Sequence, residues 1–552
     1  MRRWVRGFLL LATVSSAASA IAQDPQKAPY VEKVEVRVRS VLVFITDAKG
    51  KALATPPAPK DLKVLEDGKP VEVLAIEPAR RSAAAATAAA ATRTPGAAAA
   101  PAEPPLPAVP QYLYLDTTSV RQRTVPRLVT ALDANLDAIL ANGPLEIVVA
   151  DPQPTIALAS TSDRGRIQAA LAQLPVGKDH IYDARKDAVT RMLEVQYDQT
   201  QRPMSGTYRG DIRASIRHEI ALISNVTSRL DAWAATLPYD RASVVYLCSD
   251  GFDNDLTEVY RDMLMSTQDP QDAQAAMQYQ NEFGREAAQV TARAAEILAG
   301  RGATAIVLAL GTSDADFANS AANLKSLNPL AKTRALDSAP LSYYKRPNEP
   351  LLIVADKTGG QVVSTPDKLP QALDTVGGAF LVTFRSQAPA DGATHPLEIA
   401  SAAGDLHVRA PRSVLAAPPQ AVAAGTAVRA LSAPLPSGTL PVHVSVFDVE
   451  PTEKGRLRGK LEVSADLASI AEALEVLGPG RVRVTVAVEH SRGAPFTQSD
   501  EADLDNSGEG TTWTYEAPIV WPPEATRVAV TIEELKTGAQ GSGVTDLPKS
   551  AE

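Results

Sequence analysis

Four places in this 552-residue chain set oxygen-bearing side chains directly behind a short apolar run. They are Asp116-Thr117-Thr118-Ser119 behind YLYL, Asp151 behind EIVVA, Ser249-Asp250-Gly251 behind VVYLC, and Gly311-Thr312-Ser313-Asp314 behind IVLAL. Carboxylates and hydroxyls are hard donors, and magnesium takes oxygen ligands in octahedral geometry while keeping several waters. A carboxylate at the ends of two of these runs, Asp116 and Asp250, with hydroxyls beside one of them, would suit such a cation, and magnesium is the cofactor they would take. The competing reading is structural: Asp116 caps the helix behind it and Asp250 shapes a turn.

Other chemistry finds less support. The six histidines, at 180, 218, 395, 407, 443 and 490, include no pair at metal-ligand spacing with one another or with the single Cys248. Ser249 lacks the Gly-x-Ser-x-Gly context of a nucleophile elbow. There is no glycine-rich phosphate loop ending in Lys. Asp503-Leu504-Asp505-Asn506-Ser507-Gly508 starts like a calcium loop, but position 514, where Glu is required, is Thr. A hydrolase using His180 or Ser249 remains as a minor alternative.

The candidate ligands matter only if the chain brings them together. Residues 111–390 alternate short apolar runs with helical stretches, which predicts a mostly parallel sheet covered on both faces. The expected strands are QYLYLD, LEIVVAD, PTIALAS, ASVVYLCSD, ATAIVLALG, LLIVADKTGG and AFLVTFRS. In such a sheet ligands bind beyond the carboxyl ends of the strands, where all four motifs fall. Two long helical stretches, near 183–237 and 256–300, read as insertions on one side. Residues 31–78 alternate apolar and polar residues around turns at Asp47–Gly50 and Glu66-Asp67-Gly68, a β-sandwich segment. Residues 79–110 are an Ala/Pro-rich linker. Residues 391–540 return to β alternation and predict a C-terminal sandwich. Because β segments precede and follow the central region, that region is expected to be an insertion into, or an appendage on, one β module.

Order and motif together resemble a known family. QYLYLDTTSV, STSDRGRIQAAL, IYDARKDAV, VVYLCSDGFDN, ATAIVLALG and ADKTGGQVV follow the succession of von Willebrand factor A domains. With VLVFITDAKGK and DLKVLEDGKPVEV ahead of them, they look like the bacterial VWFA-related family over about residues 31–410. The resemblance implies a metal-dependent adhesion site whose first motif is Asp-x-Ser-x-Ser. Here Asp116 matches, Thr118 supplies the first hydroxyl, and Val120 stands where the second would be. The family's distant Thr falls on Gly177-Lys178-Asp179-His180, where Asp179 offers an oxygen and Lys178 opposes a cation. Its last Asp corresponds to Asp250.

Bulk properties bound the partners. The formal charge is -9, with 64 acidic against 55 basic residues, which argues against a nucleic-acid partner. Arg2, Arg3 and Arg6 precede an apolar stretch ending in Ala20-Ile21-Ala22, so residues 1–22 read as a signal peptide cleaved before Gln23. No second apolar stretch reaches the ~20 residues of a membrane span, and one cysteine allows no internal disulfide. The expected fold class is α/β: a doubly wound, mostly parallel, von Willebrand factor A-like sheet flanked by N- and C-terminal β-sandwiches. The expected protein is secreted or periplasmic and non-catalytic, binding a protein or cell-envelope partner at the strand-end rim. An envelope scaffold with a non-functional metal site is the alternative.

Overall fold

The computed structural model describes residues 37–49, 51–79, 109–178, 180–199, 207–237, 242–266, 269–310, 346–432, 437–438, 440–452, 455–478, 480–489, 495–504, 512–537 and 539–548. The signal-peptide reading, almost all of the Ala/Pro-rich linker, Asp179, residues 311–314, His490 and the acidic loop from Asp505 lie outside them.

The N-terminal region supplies β1 (Arg37–Asp47), β2 (Leu62–Glu66), β3 (Lys69–Val71) and β4 (Val73–Pro78). Asp67 and Gly68 both take positive φ, at 51° and 73°. They form the two-residue turn that sets Glu66 opposite Lys69, the geometry an Asp-Gly pair favours.

The central region supplies β5 (Gln111–Asp116), β6 (Leu145–Ala150), β7 (Pro154–Thr161), β8 (Ser243–Cys248), β9 (Ala303–Leu308) and β10 (Gln361–Val363). They form one sheet in the order β10-β9-β8-β5-β6-β7, parallel throughout except for the β6–β7 edge pair. The helices are α1 (Thr124–Ala134), α2 (Leu136–Asn142), α3 (Arg164–Ala172), α4 (His180–Gln199), α5 (Thr207–Ala234), α6 (Thr257–Ser266), α7 (Pro270–Phe283), α8 (Glu286–Gly300), α9 (Glu349–Lys357) and α10 (Leu369–Gly377).

Strands buried on both faces read as unbroken apolar runs. Leu113, Leu115, Ile147 and Tyr246 point into a core with α1, α2, α3 and α10. Tyr112, Tyr114, Val148 and Val245 point the other way, against α5, α8 and α9. A third core joins α4, α5, α6 and α7 into a helical cap. Inside it Arg185 donates to Glu219 at 2.6 Å, with both side chains at most 1% exposed, and Tyr260 donates to the same carboxylate.

The remaining elements are β11 (Phe380–Ser386), β12 (Thr394–Ser401), β13 (Leu406–Arg409), β14 (Ser413–Leu415) and α11 (Pro419–Ser432). After them come β15 (Ser437–Gly438), β16 (Val442–Pro451), β17 (Leu457–Asp466), α12 (Ala471–Leu477), β18 (Arg481–Val488), β19 (Phe496–Asp503), β20 (Thr512–Trp521), β21 (Arg527–Glu534) and β22 (Gln540–Asp546). β11 to β14 pair with β1 to β4, as sheets β13-β1-β11-β4 and β14-β12-β2-β3. The C-terminal sandwich is β15-β22-β21-β18-β19 against β16-β17-β20.

Three expectations change. The strands of residues 391–415 belong with the N-terminal module and not with the C-terminal sandwich. AFLVTFRS is a strand of that same module, paired with β1 and β4, and not of the parallel sheet. LLIVAD is helical, because Pro350 opens α9, Glu349 lies in its first turn, and Gly359 follows its end at φ 69°. A short apolar run does not by itself tell a buried strand from a buried helix. The central body is an insertion, since the Ala79 amide donates to the Ala379 carbonyl at 2.9 Å, which joins its entry and exit.

A candidate site at the strand-end rim

In the six-stranded sheet the chain runs outward from β5 to β6 and β7, then returns to the other side of β5 with β8. The strand order therefore reverses between β5 and β8, and a crevice opens at such a point beyond the carboxyl ends. Leu115 pairs with Cys248. Asp116 and Asp250 follow on either side of the crevice, and the Asp250 amide donates to the Ser119 carbonyl at 3.2 Å. Two carboxylates far apart in sequence thus share one sheet edge, and they are only 1% and 2% exposed.

Each carboxylate has a guanidinium beside it. Arg229 of α5 grips Asp116 with a two-pronged fork, Nε to Oδ2 at 2.8 Å and Nη2 to Oδ1 at 3.0 Å. The Thr118 hydroxyl donates to Asp116 Oδ1 at 2.5 Å and accepts from Arg229 Nη2 at 2.6 Å. The Thr118 amide also donates to Asp116 Oδ1, at 2.9 Å. Across the crevice, Asp250 Oδ2 accepts from the Arg121 amide at 2.8 Å and the Thr124 hydroxyl at 2.7 Å, with Arg121 Nε 3.4 Å away. Burial pushes the Asp250 carboxyl above its ordinary range, and Arg121 pulls it part of the way back. Asp250 Oδ1 is buried without a hydrogen-bond partner among the described residues. Thr124 is the first residue of α1, so Asp250, rather than Asp116, bonds the start of that helix. Asp116 instead closes a tight turn on Thr118.

The local sequence explains the placement. Arg229, Leu230, Trp233 and Ala234 recur at helical spacing on one face of α5. Trp233 lies 4.8 Å from the Tyr114 ring and 5.7 Å from Tyr112, pinning the helix to β5. One turn earlier, the same stripe delivers Arg229 to the end of that strand. From α4, the Tyr182 hydroxyl donates to the Gly251 carbonyl at 2.8 Å, and the Arg121 guanidinium lies 5.3 Å from the Tyr182 ring centre. Gly251 takes φ 77°, and a Cβ there would meet the Pro347 carbonyl oxygen at 1.9 Å, so no other residue fits this bend unshifted. The Lys178 amide donates to the Thr117 carbonyl at 2.8 Å, and the Lys178 ammonium pairs with Asp151.

These contacts test the magnesium reading. A hard dication needs free oxygen lone pairs at about 2.1 Å. Both Asp116 oxygens and the Thr118 hydroxyl instead face the Arg229 guanidinium, a fixed positive charge. As arranged, Asp116 and Thr118 do not fit such an ion. Nor do the described residues hold three or more His, Cys, Asp or Glu in a metal-binding group. Ser249 Oγ accepts from the Gly251 amide, with no imidazole bonded to it among the described residues. Sequence reasoning missed Arg229 and Arg121. The signal for Arg229 was a lone charge on an otherwise apolar helix stripe.

No protein-family model matches this chain, and no curated protein matches it. Among solved structures, it is similar to a conserved hypothetical protein, BatB, from Bacteroides thetaiotaomicron, at 13% identity and TM-score 0.17, over 37% of this chain and 67% of that one. It is similar to the pilus adhesin SpaC from Lactobacillus rhamnosus GG in its open conformation, at 9% identity and TM-score 0.22. That alignment covers 81% of this chain and 53% of the adhesin. A third likeness, at 10% identity and TM-score 0.14, is to the Pseudomonas fluorescens alkylpurine DNA glycosylase AlkC bound to DNA, over 77% of this chain and 98% of that one. Overlaps this weak assign neither a family nor a function.

Proposed function

We propose that this chain is a secreted or periplasmic, non-catalytic binding protein. Its central body is a von Willebrand factor A-like domain set into a β-sandwich, and it recognises a protein or envelope partner on the strand-end side. The observation that supports this reading is the pairing of Asp116 with Arg229 and of Asp250 with Arg121. Groups committed to one another in the resting protein are poor acids, bases or nucleophiles. They do fix a rigid floor beneath the loops that carry Asp151, Gln153 and Lys178 and beneath the start of α4 at His180. Those loops are polar and offer a partner hydrogen bonds and charge.

The test is affinity capture from an envelope fraction with the mature chain as bait. The same partner is expected in chelator and in excess magnesium, and Lys178→Glu combined with His180→Glu should abolish its capture. Capture that vanishes in chelator would return the metal to the centre of recognition. The depth of the two carboxylates favours a second reading, an envelope scaffold in which the rim only packs. Capture unchanged by the surface substitutions would support it.

A further inference from the structure

We infer that Arg229 is a built-in counter-cation that closes a latent divalent-ion site at Asp116 and Thr118. The native rim is held by the protein's own charge, and removing that charge opens it to magnesium or manganese.

The argument starts with what the guanidinium replaces. Asp116 is almost fully buried, and an unpaired buried carboxylate is costly unless a positive charge or a proton meets it. Arg229 supplies the charge through a planar fork matched to the carboxylate's two oxygens. It also takes the Thr118 hydroxyl as a third oxygen contact. The ring of oxygens around Arg229 is thus two carboxylate atoms and one hydroxyl, a hard donor set. Across the same crevice, Asp250 Oδ1 is a buried oxygen with no hydrogen-bond partner among the described residues.

The arginine is presented from a docked helix. Its helix is fastened to β5 by Trp233 against Tyr112 and Tyr114, and its side chain is 14% exposed. An ion arriving at the native rim would meet a positive charge already paired with both carboxylate oxygens and the Thr118 hydroxyl. Without the guanidinium, the same oxygens face a gap with a net negative charge, where a small hard cation has the most to gain.

The inference stands apart from partner recognition, because it is read on the purified chain alone. Melting temperature is followed in chelator, magnesium and manganese(II) for the native chain, Arg229→Ala, Arg229→Gln and Arg229→Ala with Asp116→Asn. The native chain should melt at one temperature in all three. Arg229→Ala should melt lower in chelator and recover about 3 °C or more in saturating manganese. The double variant should gain nothing from either metal. Manganese EPR should show a bound ion in Arg229→Ala and Arg229→Gln and none in the native chain.

A native chain that binds manganese, or that gains as much from it as Arg229→Ala, would overturn the inference. So would either single variant, folded but with no bound-manganese signal. If neither variant folds in chelator, both are refolded in manganese, and failure there overturns it as well.

Discussion

At the scale of single residues, the rim shows how a low-dielectric edge settles its charges. Asp116 is answered on both oxygens from within the chain, while Asp250 and Asp231 are answered only in part. Asp231 stands two residues beyond Arg229 on α5. Burial pushes its carboxyl from the ordinary 3.8 to about 6, with Arg293 pulling the other way. Its Oδ1 is buried without a partner among the described residues. The folded state therefore holds this proton more tightly than the unfolded chain does. Ionising the group costs stability, a cost absent below pH 3.8 and complete above about 6. Because the side chain is only half-buried, screening leaves on the order of 1 kcal/mol. Asp231→Asn should thus melt roughly 2 °C above the native chain at neutral pH and level with it in acid. Equal melting at both values would show that the carboxyl is not held out of water. The residue scale is also where the sequence was least legible. Strand-end position marked Asp116 and Asp250 as neighbours. Nothing local said that a residue 113 positions along the chain would lie between Asp116 and any ion.

Among elements, local periodicity carried far where one face decides burial. β5, β6, β8 and β9 follow from their apolar runs, and β16, β17, β18, β20 and β21 from alternation. It failed for LLIVAD, whose length suits either state. It could not see pairings between β1 and β11, which lie more than three hundred residues apart and are fixed by tertiary packing alone. One element, α11, ties the parallel sheet to the C-terminal sandwich. Ala427, Ala430 and Leu431 pack on Ala487 and Ala529 of β18 and β21. From the same helix, Arg429 reaches Glu146 on β6 at 2.7 Å and lies 4.9 Å from the Tyr112 ring centre. Burial raises the Glu146 carboxyl, and Arg429 restrains it. Arg429→Ala strands that charge and should cost about 3–5 kcal/mol in denaturant unfolding. The loss should shrink in acid, where Glu146 takes up a proton, and Glu146→Gln should restore part of it at neutral pH. A loss unchanged by either would place the helix's grip in its alanines instead.

For the whole molecule, the decisive fact is the discontinuous β module. Two four-stranded sheets enclose Val41, Val43, Val64, Val382, Phe384 and Leu397, a core drawn from both before and after the insertion. A chain cut anywhere inside the central body would still need both halves to make this core. Conversely, replacing residues 80–378 by a short Gly/Ser linker should leave a folded sandwich, since the Ala79–Ala379 hydrogen bond already joins the ends. A cooperative thermal transition and dispersed amide resonances would confirm it. A molten product would show that the sandwich leans on the body it carries, through Leu42 and Phe44, which face the sheet's core. The neck at Ala79 and Ala379 also sets the mechanical load path. Tension applied to the chain on either side of the module is borne by the rungs joining β1 to β11 and β13 and by those between β4 and β11. The strands of the inserted body lie off that line, which touches the body at its neck and, through α11, at the Arg429–Glu146 pair, so the clasp must give before those strands are pulled lengthwise.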